Sequence, residues 1–510
     1  MIELTLEEIA EITGGYLDEV DDPQAQVTSF VEFDSRKITP GGLFLALPGA
    51  RVDGHDYARA AVDQGAVAVL AARPVGAPAI IVEPTGRVEG DGANADIYAH
   101  DADGSAAAVV RALSTLARAV TRRLADHGNL TIVGVTGSAG KTSTKDLMAA
   151  IFHCAGETVA PPGSFNNEVG HPYTALRCDW QTKYLVAEMS ARGIGHIRHL
   201  ADIARPTIGA VLNVGSAHLG EFGSRENIAQ AKGELVEALP AANDGGVAVL
   251  NADDSFVAAM AKRTEAKVVY YSAANPPAPE ADYTATDVEL DDVARAAFTL
   301  HSPNAAPQRI KLQVFGVHQV SNALAAAASA IESGIPAEKV AAALSGHRNA
   351  SANRMDVYSR PDGVTIINDS YNANPDSMRA AIAALGYTTT ARPDARAIAV
   401  LGEMGELGAE AEHAHQQLGA ELAKYNVDRL IIVGDSPACR ALAAAAADRG
   451  ITTTVGADHA QAAQLVEETL RTPPAAVEQW SQRAAKDVVL IKASNAQQLW
   501  RVAATLKSEG

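Results

Sequence analysis

Residues 131–145 read TIVGVTGSAGKTSTK, and this stretch decides the fold. Thr131, Ile132, Val133 and Val135 form a β-branched run of the kind that builds a buried strand. The run meets a loop of small residues, Gly137-Ser138-Ala139-Gly140, which closes on Lys141, Thr142 and Ser143. The common phosphate-loop pattern places a glycine five residues before its Gly-Lys pair. Here that position is Val135, so the loop is a tighter version with glycines at 137 and 140. Small residues let backbone N–H groups turn toward phosphate oxygens, and Lys141 adds a point charge. Thr142 can offer its hydroxyl to Mg2+ at the start of the following helix. A Gly-rich turn with a surface lysine would look alike locally, but a strand before it and a helix after it favour nucleotide binding. The loop alone does not choose among kinase, ATPase and ligase.

Outward from the loop, strands alternate with helices. A helix from about Ala106 to Leu124 leads in, and YLVAEM, TIGAVLNV and GGVAVLNADD each read as a buried strand ending in polar residues. That alternation predicts a parallel, doubly wound sheet. Residues 318–333 predict an Ala-rich helix, after which TIINDS, AIAVLGEM, RLIIVG and DVVLIK mark a second α/β unit. Upstream, a short amphipathic helix (Leu6, Ile9, Ala10, Ile12) stops at Gly14-Gly15, and Pro-Gly turns then separate strands from a helix. Residues 84–104 are rich in Gly and Asp and read as a loop or linker.

The expected architecture is therefore α/β in three domains. These are a small mixed α/β domain (1–105), a central phosphate-loop, doubly wound parallel-sheet domain (106–347) and a C-terminal Rossmann-like α/β domain (348–510). At 510 residues the chain is too long for one core, and it has no internal repeats. Its formal charge of −19 disfavours nucleic acid as the main partner but leaves room for a phosphorylated small molecule at a local cationic site. Three cysteines without metal-like spacing, no apolar run of membrane length and an acidic N-terminus without an export pattern suit a cytoplasmic enzyme.

The loop TGSAGKTS resembles the ATP loop of the Mur ligases and folylpolyglutamate synthases. Further motifs, in order along almost the whole chain, are similar to the Mur ligases, and in particular to their dipeptide-adding branch. They are FDSRKITPGGLFLALPGARVDGHDY, SFNNEVGHP, AEMSARGIGHI, NVGSAHLGEFGS, IAQAKGEL, GVHQVSNALAAAA, NRMDV, INDSYNANPDSM and LGEMGELG. The resemblance implies that ATP phosphorylates the terminal carboxylate of a UDP-linked muramoyl tripeptide. The amine of D-alanyl-D-alanine then attacks the acyl phosphate, extending a peptidoglycan precursor for cell-wall growth and division.

That reaction makes demands on particular residues. Phosphoryl transfer between anions needs concentrated positive charge and alignment, which Lys141, the loop amides and Mg2+ would supply. Glu188 ends a buried strand, where an acid reaches a nucleotide-bound metal, although a capping or surface glutamate would sit there too. His218 lies past another strand end; taken alone it reads as a hydrogen-bonded polar residue, and the resemblance makes it catalytic and a metal ligand. A helical lysine such as Lys232 is solvated by default. The resemblance implies that CO2 carbamylates it, turning a cation into an anion able to hold a second Mg2+.

The resemblance also assigns Asn322, with His318 nearby, to adenine, Arg354 to the nucleotide and Asp369 to the ribose. A helix N-cap and a strand-end turn are the plainer readings of Asn322 and Asp369. ATP would bridge two domains, whose closure completes the site. For the muramoyl peptide, Ser35 and Arg36 would meet diphosphate or uridine, Asn166, Asn167 and Ser190 peptide or sugar, and Arg192 a carboxylate. Tyr371, Asn372 and Asn374 would line the way in for the dipeptide; Asn-rich turns are also common without function.

Two departures stand out. Many relatives carry Lys-Gly-Ser-Arg near the C-terminus where this chain has Lys492-Ala493-Ser494-Asn495, and the 84–104 loop is long. Rival readings are another Mur-type or folylpolyglutamate-type amino-acid ligase, and a non-catalytic nucleotide switch. A monomer is expected.

Overall fold

The computed structural model describes residues 1–49, 52–84, 86, 101, 103–127, 130–215, 219–291, 293–348, 351–392, 394–472 and 486–508. Three α/β units follow one another. In the first, a five-stranded sheet runs in the order Tyr16–Asp18, Ala79–Ile81, Ala66–Ala71, Gly42–Leu45, Val31–Glu32, parallel except at its first pair. The helix Leu6–Thr13 opens on a capping box, in which Thr5 accepts from the Glu8 N–H and the Glu8 carboxylate from the Thr5 N–H. Most of the 84–104 segment lies outside the described residues.

The helix Ser105–Asp126 joins this unit to the next, packing on Leu6–Thr13 at one side and on His196–Ala204 at the other. Val109, Leu113, Leu116, Ala117 and Val120 are fully buried along it, a 3.6-residue stripe that fuses the two cores. The central sheet has nine strands. Starting from Thr158–Val159, the order is Tyr184–Glu188, Thr131–Thr136, Ile208–Val211, Val247–Asn251 and Lys267–Ser272, all parallel, then Tyr283–Leu290, Arg295–His301 and Gln308–Phe315. The last two strands are antiparallel. That meander is a departure from the purely parallel sheet expected: Arg295–His301 alternates buried and half-buried residues, the pattern of an edge ribbon with one wet face.

The strand Thr131–Thr136 sits where the chain reverses direction across the sheet. Such a switch point opens a crevice at the carboxyl ends of the strands. The helix Gln319–Glu332 packs directly on the helix that follows the phosphate loop. Ala325 to Ala328 are all fully buried there, because methyl side chains allow close approach.

The third unit carries a six-stranded sheet, Asp356–Ser359, Thr365–Asn368, Val488–Lys492, Ala397–Leu401, Arg429–Val433 and Thr452–Gly456, antiparallel only at its first pair. The four predicted strands of this unit all form. Among the described residues, no helix is long and apolar enough to cross a membrane.

Candidate active site

The carboxyl ends of the central and C-terminal sheets face one another across a cavity of about 950 Å3. On the central side, the strand Thr131–Thr136 hands over to the loop, and the helix Lys141–His153 begins at Gly140. Gly140 has φ +85°, and a Cβ there would lie 2.5 Å from Asn322 Oδ1. Only glycine satisfies both the left-handed backbone and that approach. The loop is braced by Asn213, whose Oδ1 accepts from the Ala139 N–H at 2.9 Å and whose Nδ2 donates to the Ala139 carbonyl at 3.1 Å. Lys141 Nζ folds back to donate to the Gly137 carbonyl at 2.8 Å. Burial lowers the Lys141 ammonium below its usual pKa, and the nearby Glu188 carboxylate opposes that shift.

Glu188 is 1% exposed at the end of its strand. Its Oε1 accepts from Thr142 Oγ1 at 3.2 Å and from Asn166 Nδ2 at 2.6 Å. Its Oε2 is buried with no hydrogen-bond partner. An orphaned carboxylate oxygen next to a loop threonine hydroxyl fits a hard cation taking oxygen ligands. Among the described residues no cluster of three or more His, Cys, Asp or Glu that could hold a metal ion is present. His218 lies outside the described residues.

Lys232 is 3% exposed inside the helix Arg225–Glu237. Burial pushes its pKa well below the usual lysine value, and the Lys141 ammonium pushes the same way. It is therefore not the solvated lysine that a helical position suggests by default.

From the C-terminal side, Arg354 donates to Ser164 Oγ at 2.7 Å and stacks 4.2 Å over the Tyr371 ring, while Ser164 also meets Thr142 Oγ1 at 3.1 Å. Asp369, just past the strand Thr365–Asn368, accepts from the Met355 N–H at 3.0 Å and from Lys492 Nζ at 2.6 Å. Lys492, ending its own strand, also donates to the Asn372 carbonyl at 2.7 Å. One buried ammonium thus holds both the Asp369 carboxylate and the turn carrying Tyr371 and Asn372. Burial lowers the Lys492 pKa and Asp369 opposes it. His318 is kept toward its neutral form chiefly by burial.

Asn322 lies inside its helix rather than at a cap, and its Nδ2 donates to Gln319 Oε1 at 2.9 Å. Asn374 is the N-cap of the helix Pro375–Thr390, in a capping box with Ser377. Across the gap, Gly215 is a passing point: a Cβ there would lie 2.0 Å from Asp376 Oδ2. One turn beyond the loop, buried Lys145 pairs with Asp146 and donates to the Pro161 carbonyl at 3.1 Å. The other Asp146 oxygen accepts from Ser351 Oγ at 2.6 Å, in the segment joining the central and C-terminal units.

The cavity wall therefore gathers Ser138 to Ser143, Asn166, Glu188, Ser190, Arg192, His318, Asn322, Arg354, Asp369, Tyr371, Asn372 and Asn374 of the residues expected from sequence. Asn167 does not line it; its Oδ1 accepts from the Gly170 N–H at 2.9 Å at the head of a short helix. Ser35 and Arg36 lie in the N-terminal unit, away from this cavity, and the Arg36 guanidinium is paired with Asp34 at 2.9 Å. Sequence reasoning missed Asn213, Ser164, Lys492 and Glu406, although all four stood inside segments singled out for other reasons.

Three stretches match family models: residues 27–120 the "Mur ligase family, catalytic domain", 135–330 the "Mur ligase middle domain" and 353–495 the "Mur ligase, glutamate ligase domain". The UDP-N-acetylmuramoyl-tripeptide–D-alanyl-D-alanine ligase of Mycobacterium tuberculosis is 51% identical over 100% of this chain and 98% of its own length. A crystal structure of MurF from Acinetobacter baumannii superposes with TM-score 0.80 at 27% identity, covering 99% of both chains. The MurF ligase of Thermotoga maritima in complex with ADP gives TM-score 0.71 at 25% identity over 95% of this chain and 98% of that one.

Proposed function

The chain belongs to the Mur ligase family, and from that premise we propose how its three units divide one reaction. It is an ATP-dependent ligase that joins D-alanyl-D-alanine to a UDP-N-acetylmuramoyl tripeptide in peptidoglycan precursor synthesis. The observation that carries the mechanism is the single cavity in which Lys141 and Glu188 of one sheet face Arg354 and Asp369 of the other.

The first unit, residues 1–105, holds the uridine nucleotide, with Ser35 and Arg36 beside its diphosphate; the Arg36–Asp34 pair is exposed and opens at little cost. The central unit, 106–347, binds the ATP phosphates on the loop amides and Lys141. Asn166 and Ser190 orient the muramoyl peptide so that its terminal carboxylate meets the γ-phosphate, while Asn167 holds the head of the adjoining helix. The C-terminal unit, 348–510, brings Arg354 to the phosphates and Asp369 to the ribose, while Asn322 and His318 flank the adenine. Closure of the two sheets excludes water from the acyl phosphate until the amine attacks. The turn at Tyr371, Asn372 and Asn374 admits the dipeptide.

Thr142 and Glu188 would hold one Mg2+, and carbamylated Lys232 with His218 a second. When bound, the ions neutralise charge on the phosphates. The buried, proton-poor Lys232 is suited to this modification, since the neutral amine is the form that adds CO2 and releases a proton. A monomer working in the cytoplasm completes the reading, supported by three free thiols, two of them buried.

Phosphate release is the test. Turnover that needs both UDP-muramoyl tripeptide and D-alanyl-D-alanine, and that Lys141→Ala removes, supports the ligase. ATP turnover indifferent to both substrates refutes it.

A further inference from the structure

Five carboxylates line the described part of the cavity: three are held by the protein's own frame, and Glu188 keeps one oxygen open for the cation proposed above. Glu188 meets Thr142 and Asn166, Asp254 caps the start of the helix Ser255–Ala258, Asp369 is held by buried Lys492, and Asp376 pairs with Arg379 outside the wall. Glu406 differs. Its Oε1 accepts from Arg192 Nη2 at 2.9 Å, both side chains line the cavity, and they are 40% and 38% exposed. The pair also crosses the gap between units: Arg192 follows the strand Tyr184–Glu188 and Glu406 follows Ala397–Leu401.

The fold takes trouble to present this carboxylate. Glu406 has φ +62°, in the left-handed region that an L side chain rarely adopts. Its turn rests on Gly220, where a Cβ would come within 3.0 Å of the Gly408 nitrogen. Strain held in place by close backbone packing is typical of positions that serve a ligand. Glu406 is also one of the two carboxylates, with Glu188, whose field reaches the Lys141 ammonium. A cation bound at Glu406 therefore sits close to where phosphate is transferred.

Resting on the ligase reading above, we propose that Arg192 and Glu406 are the specificity pair for the incoming dipeptide zwitterion. Glu406 takes its ammonium and Arg192 its C-terminal carboxylate. Before the dipeptide arrives the two side chains satisfy each other. Half-exposed ion pairs of this kind are weakly held, so a ligand offering both charges displaces the pair without changing net charge. The amine is thereby delivered beside the acyl phosphate: it gives one proton to water, its nitrogen bonds to the acyl carbon, and the carbon–oxygen bond to phosphate breaks, the second proton leaving with inorganic phosphate. An acceptor tripeptide ending in diaminopimelate also carries an ammonium and a carboxylate a few ångströms apart. The nearness of Glu406 to Lys141 favours the attacking amine as the source.

The test is steady-state phosphate release by full-length Arg192→Met, Glu406→Gln and the charge-swapped Arg192→Glu/Glu406→Arg. Each is assayed with D-alanyl-D-alanine and with its C-terminal carboxamide, on diaminopimelate- and lysine-containing tripeptides. Each single variant should raise KM for the dipeptide by about tenfold or more, with KM for ATP unchanged. The parent should prefer the acid to the amide and Arg192→Met should not. The swapped variant should stay impaired. Recovery of dipeptide KM in the swap would make the pair a mere domain fastener. A KM rise confined to the diaminopimelate tripeptide would assign the pair to the acceptor, and unchanged constants would leave it without a role; each overturns the proposal. A parent enzyme indifferent to the dipeptide would instead sink the ligase reading itself.

Discussion

Replacing Lys492 with methionine isolates the contribution of a single buried charge. Its ammonium, 2% exposed, donates to Asp369 Oδ2 at 2.6 Å, to the Asp369 carbonyl at 3.3 Å and to the Asn372 carbonyl at 2.7 Å. Methionine keeps most of the volume and removes all three bonds. Asp369, 15% exposed, is left with the Met355 N–H as its remaining donor among these contacts. Breaking a buried pair from one side costs about 3–5 kcal/mol, and the residual exposure of Asp369 places this case near about 3. For a unit of this size that is a fall of roughly 6–12 °C in its melting temperature. With Asp369 on the ribose, as proposed above, the loosened turn should also raise KM for ATP by about tenfold, or about 1.4 kcal/mol. Adding Asp369→Asn removes the stranded charge, so the double variant should regain much of the stability but none of the ATP affinity. Calorimetry and ATP titrations of phosphate release read both quantities. A single variant that melts with the parent, or a double variant no more stable than the single, would refute the reasoning.

Other outcomes follow from the same contacts. Gly215→Ala should lower kcat by about tenfold or more without lowering the melting temperature, because the new methyl meets Asp376 and props the units apart; stopped-flow turnover and calorimetry separate the two. Protein prepared without CO2 should lack the mass of one CO2 on Lys232 and regain activity with bicarbonate, and Lys232→Ala should be partly rescued by acetate; activity indifferent to CO2 counts against the carbamate. Burial holds His171 down at a pKa of about 4, so the unfolded chain binds a proton there that the native chain refuses. Stability should therefore fall as pH drops from 6.5 toward 4, by about 3 kcal/mol at the end, and His171→Leu should flatten that fall in urea titrations.

Local chemistry was legible in the sequence, and long-range pairing was not. The β-branched run at 131–135 and the small-residue loop dictate their own conformation, so strand, loop and helix appear where expected. Glu188 was legible because a strand's end points at the crevice whatever lies opposite. What lies opposite was hidden. Arg192 and Glu406 are 214 residues apart, and Asp369 and Lys492 are 123 apart. The first pair meets only because two sheets turn their carboxyl edges toward one another, and the second because Thr365–Asn368 and Val488–Lys492, far apart in the chain, lie side by side as parallel strands of one sheet. The burial of Lys232 was equally invisible, since a lysine between Ala231 and Gly233 looks solvated until the neighbouring elements cover it. The antiparallel ribbon at 283–315 was missed because its alternating pattern follows a long parallel series.

The bond from Asp146 to Ser351 has a mechanical meaning. The rod that begins at the phosphate loop grips, one turn later, the strap joining the central and C-terminal units. Tilt at one end is thus felt at the other without passing through bound nucleotide. Exchanging Ser351 for alanine would cut that link at a buried point away from the cavity wall, and so act on the throttle rather than the fuel.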